Sequence, residues 1–366
     1  MVILRVYGDF FGQDHGKNMS SYKKQKRLLI TGGAGFIGSN LAAQFLGKGY
    51  IVTIFDNFVR LGTSENTSWL KSKFPKLQII KGDIRDKNSI EKAVEKQEII
   101  FHMAAQVAVT TSVTDPRTDF EINALGTFNL LEAARKLPYK PILVFASTNK
   151  VYGGMEDIII VEKRTRYDYR DMPYGISETR QLDFHSPYGC SKGAADQYVR
   201  DYGRIYGILT VVLRQSCIYG PRQFGIEDQG WLAWFIIAAT YGKQITIYGD
   251  GKQVRDVLFI DDLVKLFEIT VEKIDKAAGK IYNIGGGWQN TMSVWNEFYP
   301  HLARLFGRKI NVNFAPWRPG DQKIYVSDIR LVEKDLGWKP KIGVKSGIEK
   351  LFNWVQDNKN LFKILT

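Results

Sequence analysis

Residues 27–38 read RLLITGGAGFIG, and the fold follows from them. The apolar run Arg27 to Thr31 has the length and composition of a strand, and it stops abruptly at Gly32-Gly33-Ala34-Gly35-Phe36-Ile37-Gly38. A helical pattern takes over, with Phe36, Ile37, Leu41 and Phe45 on one side, until Gly47 and Gly49 end it. Strand, glycine turn, helix is the expected order. Glycines at 32, 35 and 38 let the backbone turn tightly and bring amide groups close to a pyrophosphate, which also gains from the positive end of the helix dipole. The next strand, Ile51 to Phe55, ends in Asp56, 21 positions beyond Gly35. An acid at that spacing suits the adenosine ribose hydroxyls of a dinucleotide and disfavours a 2′-phosphate, so NAD is expected over NADP, with Arg60 pulling the other way.

The alternation continues outward from this unit. A strand at Gln78 to Lys81 runs into Gly82-Asp83-Ile84, a helix covers Asn88 to Lys96, and a strand at Ile99 to His102 runs into Met103-Ala104-Ala105-Gln106. Ala124, Phe128 and Leu131 mark one face of a helix from Phe120 to Leu137, and strands follow at Pro141 to Ala146 and Ile208 to Leu213. Strands and helices in this rhythm mean an α/β fold, a doubly wound parallel (Rossmann-like) sheet whose ligands sit at the carboxyl ends of its strands. Beyond it Gly220-Pro221-Arg222 and Gly249-Asp250-Gly251 separate short mixed segments. The expected division is an extension over 1–26, an NAD-binding domain over 27–214, and a smaller mixed α/β substrate-binding lobe over 215–366. Chain is expected to return to the sheet within 254–290, at Val257 to Ile260 and Tyr282 to Ile284. Trp231, Trp234 and Phe235 read as the core face of a helix or as a lid, and the last helix, Val344 to Asn358, as packing through Leu351, Trp354 and Val355.

Composition narrows the class. At 366 residues the chain is long enough for one large domain and a second unit. Its longest apolar run, Trp231 to Tyr241, is too short to cross a bilayer, so no membrane association is expected. The first 18 residues lack a signal core and read as a disordered extension upstream of a start at Met19. Cys190 and Cys217, the only two cysteines, have neither metal-ligand nor disulfide-framework spacing, which points to a reducing cytoplasm and to no metal. The net charge of +13 is compatible with nucleic acid, but no aromatic-and-basic motif accompanies it. Anionic small molecules account for it at least as well.

Gln181 to Gln197 reads QLDFHSPYGCSKGAADQ, which sets Tyr188 and Lys192 four apart and hence on one helix face. A cation beside a phenol favours the phenolate, so Tyr188 becomes a candidate to exchange a proton with an alcohol. With the glycine turn and Ser147-Thr148-Asn149-Lys150-Val151-Tyr152-Gly153 after the fifth strand, the chain resembles the extended short-chain dehydrogenase/reductases over residues 27–357. The resemblance implies Thr148, Tyr188 and Lys192 as the catalytic set, with Lys192 also on the nicotinamide ribose. It implies NAD held by Gly32, Gly35, Phe36, Ile37, Gly38, Asp56 and Asn57, with Asp83 and Ile84 near the adenine, Ala104 and Ala105 near the riboses, and Asn123 as a helix-bending support.

The same loop bears on the reaction. Nucleotide-sugar 4,6-dehydratases, to which the chain is otherwise similar, follow the threonine with Asp and Glu, whereas this chain has Asn149 and Lys150. That disfavours dehydration and leaves reversible oxidation. Arg255, and Arg318 in Arg318-Pro319-Gly320-Asp321, match positions where relatives hold a nucleotide diphosphate, an arginine's planar fork suits phosphate, and Asp321 is a further candidate for binding the substrate. Cys217 departs from the pattern, standing where many relatives use an asparagine. Four longer words, QVAVTTS at 106–112, STNKVYG at 147–153, QLDFHSPYGCSKGAADQY at 181–198 and DQGW at 228–231, are similar to those of the carbon-2 epimerases of CDP-linked hexoses and 3,6-dideoxyhexoses within this family. The resemblance implies a homodimer or homotetramer formed through the helices near 120–137 and 188–206. Candidates for holding the hexose are Gln106, Thr111, Asn149, Lys150 and His185. Two other functions stay open: a carbon-4 epimerase of a UDP- or GDP-sugar, and a catalytically silent NAD-binding regulator.

Overall fold

Seven strands pair side by side, all parallel: β1 (Arg27–Thr31), β2 (Ile51–Asp56), β3 (Gln78–Lys81), β4 (Ile99–His102), β5 (Ile142–Thr148), β6 (Leu209–Gln215) and β7 (Ile281–Ile284), in the order β7-β6-β5-β4-β1-β2-β3. The computed structural model describes residues 25–365 except Pro319. The extension expected upstream therefore lies, apart from Gln25 and Lys26, outside the described residues. Strand order reverses between β1 and β4, so the chain leaves these neighbours in opposite directions and opens a crevice at their carboxyl ends. Alternate side chains of one strand feed opposite cores: Leu28 and Ile30 pack on one face of the sheet and Leu29 on the other. That is why β1 is almost continuously apolar.

The remaining strands form smaller sheets. Cys217–Tyr219, Val254–Phe259, Thr291–Ser293 and Ile324–Tyr325 make one, while Ile245–Tyr248 pairs with Val312–Ala315. Strand 254–259, expected to return to the central sheet, is thus part of the second sheet instead. Its Val254, Asp256, Val257, Leu258 and Phe259 are buried, and that apolar run alone does not say which sheet takes it. Strand 281–284 joins the central sheet at its edge.

The helix expected over 120–137 is broken in register. A π-helical turn, Glu121–Leu125, separates the short helix Pro116–Phe120 from Gly126–Arg135. The wider turn rotates the second helix about its axis, so Leu130 and Leu131 enter the core while Phe128 is 37% exposed. Helix Ser186–Tyr206 starts with Pro187 in its first turn and ends on Gly207 in the left-handed region at φ 71°. A buried ion pair ties it to the sheet: Arg214 Nε and Nη2 donate to Asp196 Oδ2 and Oδ1, both at 2.9 Å. Ser147 Oγ donates to the same carboxylate at 2.7 Å, so β5, β6 and this helix are fixed together just below Tyr188.

Candidate active site

Two cavities meet above the carboxyl ends of the strands. The smaller, about 240 Å³, runs along the glycine turn, and each residue expected to hold the dinucleotide lines it: Gly32, Gly35, Phe36, Ile37, Gly38, Asp56, Asn57, Asp83, Ile84, Ala104, Ala105 and Lys192. The turn is closed on itself. Gly32 sits at φ 67°, and a Cβ there would lie 2.7 Å from the Ala104 amide nitrogen. Helix Phe36–Gly47 begins at Gly35 with no side-chain cap and no acid in its first turn. Its first amides therefore face the cavity with the positive end of the dipole, a fit for a pyrophosphate.

Asp56 Oδ2 accepts from the Ala34 amide at 3.0 Å and Oδ1 from the Phe58 amide at 2.9 Å, which locks the turn to the end of β2. Burial raises its pKa against these bonds and against the charge of Arg60. Asp83 accepts from Nε and Nη2 of Arg85 at 2.9 Å and from Asn57 Nδ2 at 3.0 Å, and the Arg85 bond above all holds its carboxyl well below the ordinary range. Arg60 reaches across the cavity mouth to Gln229 Oε1 at 2.9 Å.

A Cβ at Gly38 would run into the carbonyl oxygen of Gly32, which is backbone and cannot rotate away. Gly38→Ala is expected to destabilise the protein by about 1–3 kcal/mol, seen as a lower urea midpoint. An unchanged midpoint would show that the turn yields.

The larger cavity, about 390 Å³, is lined by Thr148, Asn149, Lys150, Arg255, Arg318 and Asp321 among others, and Tyr188 lines both cavities. Tyr188 is 8% exposed, and burial pushes its phenol up to about 12, with the Thr148 hydroxyl bond working the other way. Lys192 does not act on it as expected. Its Nζ donates to the Ala146 carbonyl at 2.7 Å and lies 4.2 Å from the Phe145 ring centre, so the ammonium is engaged with β5. Burial depresses Lys192 to about 7, opposed by Asp196 and Asp119. Behind this pair Asn123, in the π-turn, accepts from the Gln106 amide at 2.9 Å and donates to Asp119 Oδ1 at 3.1 Å, while Ser191 Oγ donates to Asp119 Oδ2 at 2.5 Å.

In the larger cavity Lys150 Nζ donates to Gln322 Oε1 at 3.1 Å, and burial, helped by Arg255, lowers it to about 8. Arg318 Nη1 donates to Asp228 Oδ1 at 2.8 Å and its guanidinium stacks 4.1 Å from the Tyr248 ring centre.

Three expected hexose contacts are not brought here. Gln106 folds onto its own turn, its Nε2 donating to the Ala108 carbonyl at 2.7 Å. Thr111 faces solvent and Thr110 takes its place on the cavity wall, because one residue round the short helix Val109–Thr114 is about 100°. His185 is exposed at the rim, its ring 3.5 Å from where a Cβ of Gly320 would be. The sequence reading missed Gln215, Gln223, Tyr248 and Gln253, which all line the cavity. Gln215, at the carboxyl end of β6, could have been found by the strand-end rule; the others carry no local signal.

Residues 29–351 match the family model described as GDP-mannose 4,6 dehydratase. The chain belongs to this nucleotide-sugar branch of the short-chain dehydrogenase/reductases. It is 44% identical over 335 residues to CDP-paratose 2-epimerase of Salmonella typhi, covering 90% of this chain and 98% of that one. Among solved structures it is similar to UDP-glucose 4-epimerase of Thermotoga maritima with UDP-glucose, at a TM-score of 0.78 and 29% identity, covering 91% of this chain and 99% of that one. It is also similar to dTDP-glucose 4,6-dehydratase of Streptomyces venezuelae with NAD, at a TM-score of 0.80 and 28% identity, over 93% and 100% of the two chains. The family thus holds both epimerases and dehydratases, and the chemistry of the loop after β5 has to separate them for this member.

Proposed function

We propose that this protein is an NAD-dependent epimerase that inverts carbon 2 of a CDP-linked hexose or 3,6-dideoxyhexose, as between CDP-paratose and CDP-tyvelose. The observation that carries the reading is the position of Tyr188 at the junction of the two cavities, beside Thr148 and the pair Asn149 and Lys150. Expelling water from a sugar takes an acid and a base on neighbouring carbons; an asparagine can be neither, which disfavours the dehydratase alternative. The 44% identity to CDP-paratose 2-epimerase supports both the carbon and the base.

The hydrogen on carbon 2 of such a sugar is not acidic, since neighbouring carbon 1 is an acetal-type centre, so direct deprotonation is disfavoured. The glycine turn, Asp56 and Lys192 would hold NAD in the smaller cavity, where it would supply reversible oxidation of the carbon-2 hydroxyl to a ketone. Tyr188, as the phenolate, takes the hydroxyl proton, and the neutral phenol so formed returns it when the ketone is reduced. Arg255 and Arg318 hold the diphosphate, for which Arg318 exchanges its carboxylate partners. The sugar turns about its bonds to the diphosphate, and Asn149, Lys150 and Thr110 offer it hydrogen bonds in either pose. Mixing the protein with CDP-paratose and following carbon-2 epimer signals by NMR tests the reading. Inversion at carbon 4 of a UDP-sugar instead would favour the second reading, which the 34% identity to a putative UDP-glucose 4-epimerase of Methanocaldococcus jannaschii keeps in view. No turnover with bound NAD would favour the silent regulator.

The state of Lys192 gives a pH dependence. With its pKa depressed to about 7 by burial, the ammonium is present below that pH and lost above it. Affinity for NAD is therefore expected to fall as pH rises through about 7, by up to about tenfold per unit, while Lys192→Met binds weakly and without that slope. Titration of cofactor-stripped protein by calorimetry checks this, and a flat wild-type profile would remove Lys192 from the contact.

We also propose that a second copy covers the apolar face made by Phe120, Leu125 and Phe128 with Tyr198 and Ile205, which are 56, 40, 37, 49 and 66% exposed. Light scattering is expected to give a dimer or tetramer that Phe128→Glu with Tyr198→Glu dissociates. A wild-type monomer at micromolar concentration would contradict it. Two cysteines without a partner fit a cytoplasmic protein.

A further inference from the structure

We propose that Asp228 is a built-in competitor of the nucleotide: its carboxylate occupies the Arg318 fork that the diphosphate needs, so an arriving nucleotide displaces it and a departing one is replaced by it. In the nucleotide-sugar reading, on which this rests, Arg318 anchors the diphosphate, and Asp228 then sets how readily that anchor is given up. Glu227, Asp228 and Gln229 follow one another along the wall of the larger cavity, and each is tied by its side chain to a different partner. Glu227 Oε1 accepts from the Tyr248 hydroxyl at 3.2 Å, Asp228 Oδ1 from Arg318 Nη1 at 2.8 Å, and Gln229 Oε1 from Arg60 Nη2 at 2.9 Å.

The segment that carries them is a closed turn. Ile226 and Gln229 exchange both backbone bonds, each at 3.0 Å, which leaves Glu227 and Asp228 at the tip. At its base a Cβ on Gly225 would lie 2.7 Å from the Trp234 amide nitrogen, and Gly230 sits at φ 79° where helix Trp231–Thr240 begins. The backbone is thus set against the helix, and Asp228 reaches Arg318 from a fixed position. The arginine is held as well: its guanidinium lies 4.1 Å from the centre of the Tyr248 ring, and Asp321 Oδ2 is 3.7 Å from its Nε. Exposed ion pairs are weak in part because two mobile side chains must be held together. Here a short side chain on a closed turn meets a stacked guanidinium, and less freedom is lost. Both groups stay open to solvent, the Asp228 side chain 44% exposed and that of Arg318 30%, so an anion can approach and the carboxylate can swing out. A diphosphate brings more charge and more acceptor oxygens than one carboxylate, and it takes the fork. Arg255, the other anchor, donates to the Val254 carbonyl at 2.8 Å instead.

Calorimetric titration of the full-length protein with CDP and with UDP tests the assignment. Asp228→Asn and Asp228→Ala, each checked for an intact thermal transition, are expected to bind the nucleotides about three- to tenfold more tightly than the wild type, because Arg318 is released from the start. Glu227→Gln removes the same charge one residue away, where the bond is to Tyr248, and is expected to stay within about twofold of the wild type in physiological salt. In an Arg318→Met background, Asp228→Asn is expected to add less than about twofold. Unchanged or weaker binding in the Asp228 variants would overturn the proposal. So would an equal gain in Glu227→Gln, or a gain that survives Arg318→Met, since either would make the effect one of net charge alone. Wild-type protein that binds neither nucleotide would overturn this proposal and the functional reading together. Because two nucleotides are titrated without turnover, a protein that favours UDP or inverts another carbon fails the functional reading alone.

Discussion

Replacing Tyr188 by Phe is expected to lower turnover by on the order of 100- to 10,000-fold while NAD stays bound. The substitution keeps the ring, which is 8% exposed and packed where the two cavities meet, and removes only the hydroxyl. What is lost is the group proposed to exchange a proton with the sugar. Since the glycine turn and Asp56 are untouched, NAD content after denaturation should match the wild type. KM should change little, because the proposed diphosphate anchors, Arg255 and Arg318, are elsewhere. Turnover within a few-fold of wild type would mean that another group moves the proton, and Lys150, with its lowered pKa, would be the first to examine.

The second large effect is on stability. Arg214 and Asp196, with side chains 3 and 0% exposed, form a two-pronged pair beneath the site. Arg214→Met leaves the Asp196 carboxylate buried with only the Ser147 hydroxyl and the Gln197 amide, and it removes the bond that Arg214 Nη1 donates at 3.0 Å to the Tyr152 hydroxyl, which keeps Asn283 Oδ1 as its acceptor at 2.7 Å. Removing one member of a buried pair costs about 3–5 kcal/mol, read here from urea unfolding. Adding Asp196→Leu should recover part of the loss, since the uncompensated charge goes with it. A single variant within about 1 kcal/mol of wild type would show that the carboxylate finds other partners or a proton.

The cofactor side of this protein is written locally, and the substrate side is not. β1, its glycine turn and the acid at the end of β2 are each specified by neighbours in sequence: apolar period, absence of Cβ, strand end. A parallel sheet then brings all strand ends to one crevice, so residues such as Asp83 and Ala104 arrive together without further instruction. The larger cavity is built differently. Its wall joins segments from 107–110, 215–235, 246–255 and 318–321, and which face each presents depends on packing between distant elements. A one-residue rotation put Thr110 rather than Thr111 on the wall, and an internal bond turned Gln106 away. The π-turn at Glu121–Leu125 moved Phe128 outward, which no 3.6-residue count foresees.

The central claim is that carbon 2 is inverted by oxidation and return, with Tyr188 handling only the proton on oxygen. The direct measurement is to run the epimerisation of CDP-paratose in deuterated water and read carbon 2 of the product by NMR and mass spectrometry. Tyr188 exchanges its proton with solvent, but the hydrogen on carbon never passes through it, so the product is expected to carry ordinary hydrogen at carbon 2. One deuterium per turnover at that carbon would contradict the account and point to a base that removes the carbon-bound proton.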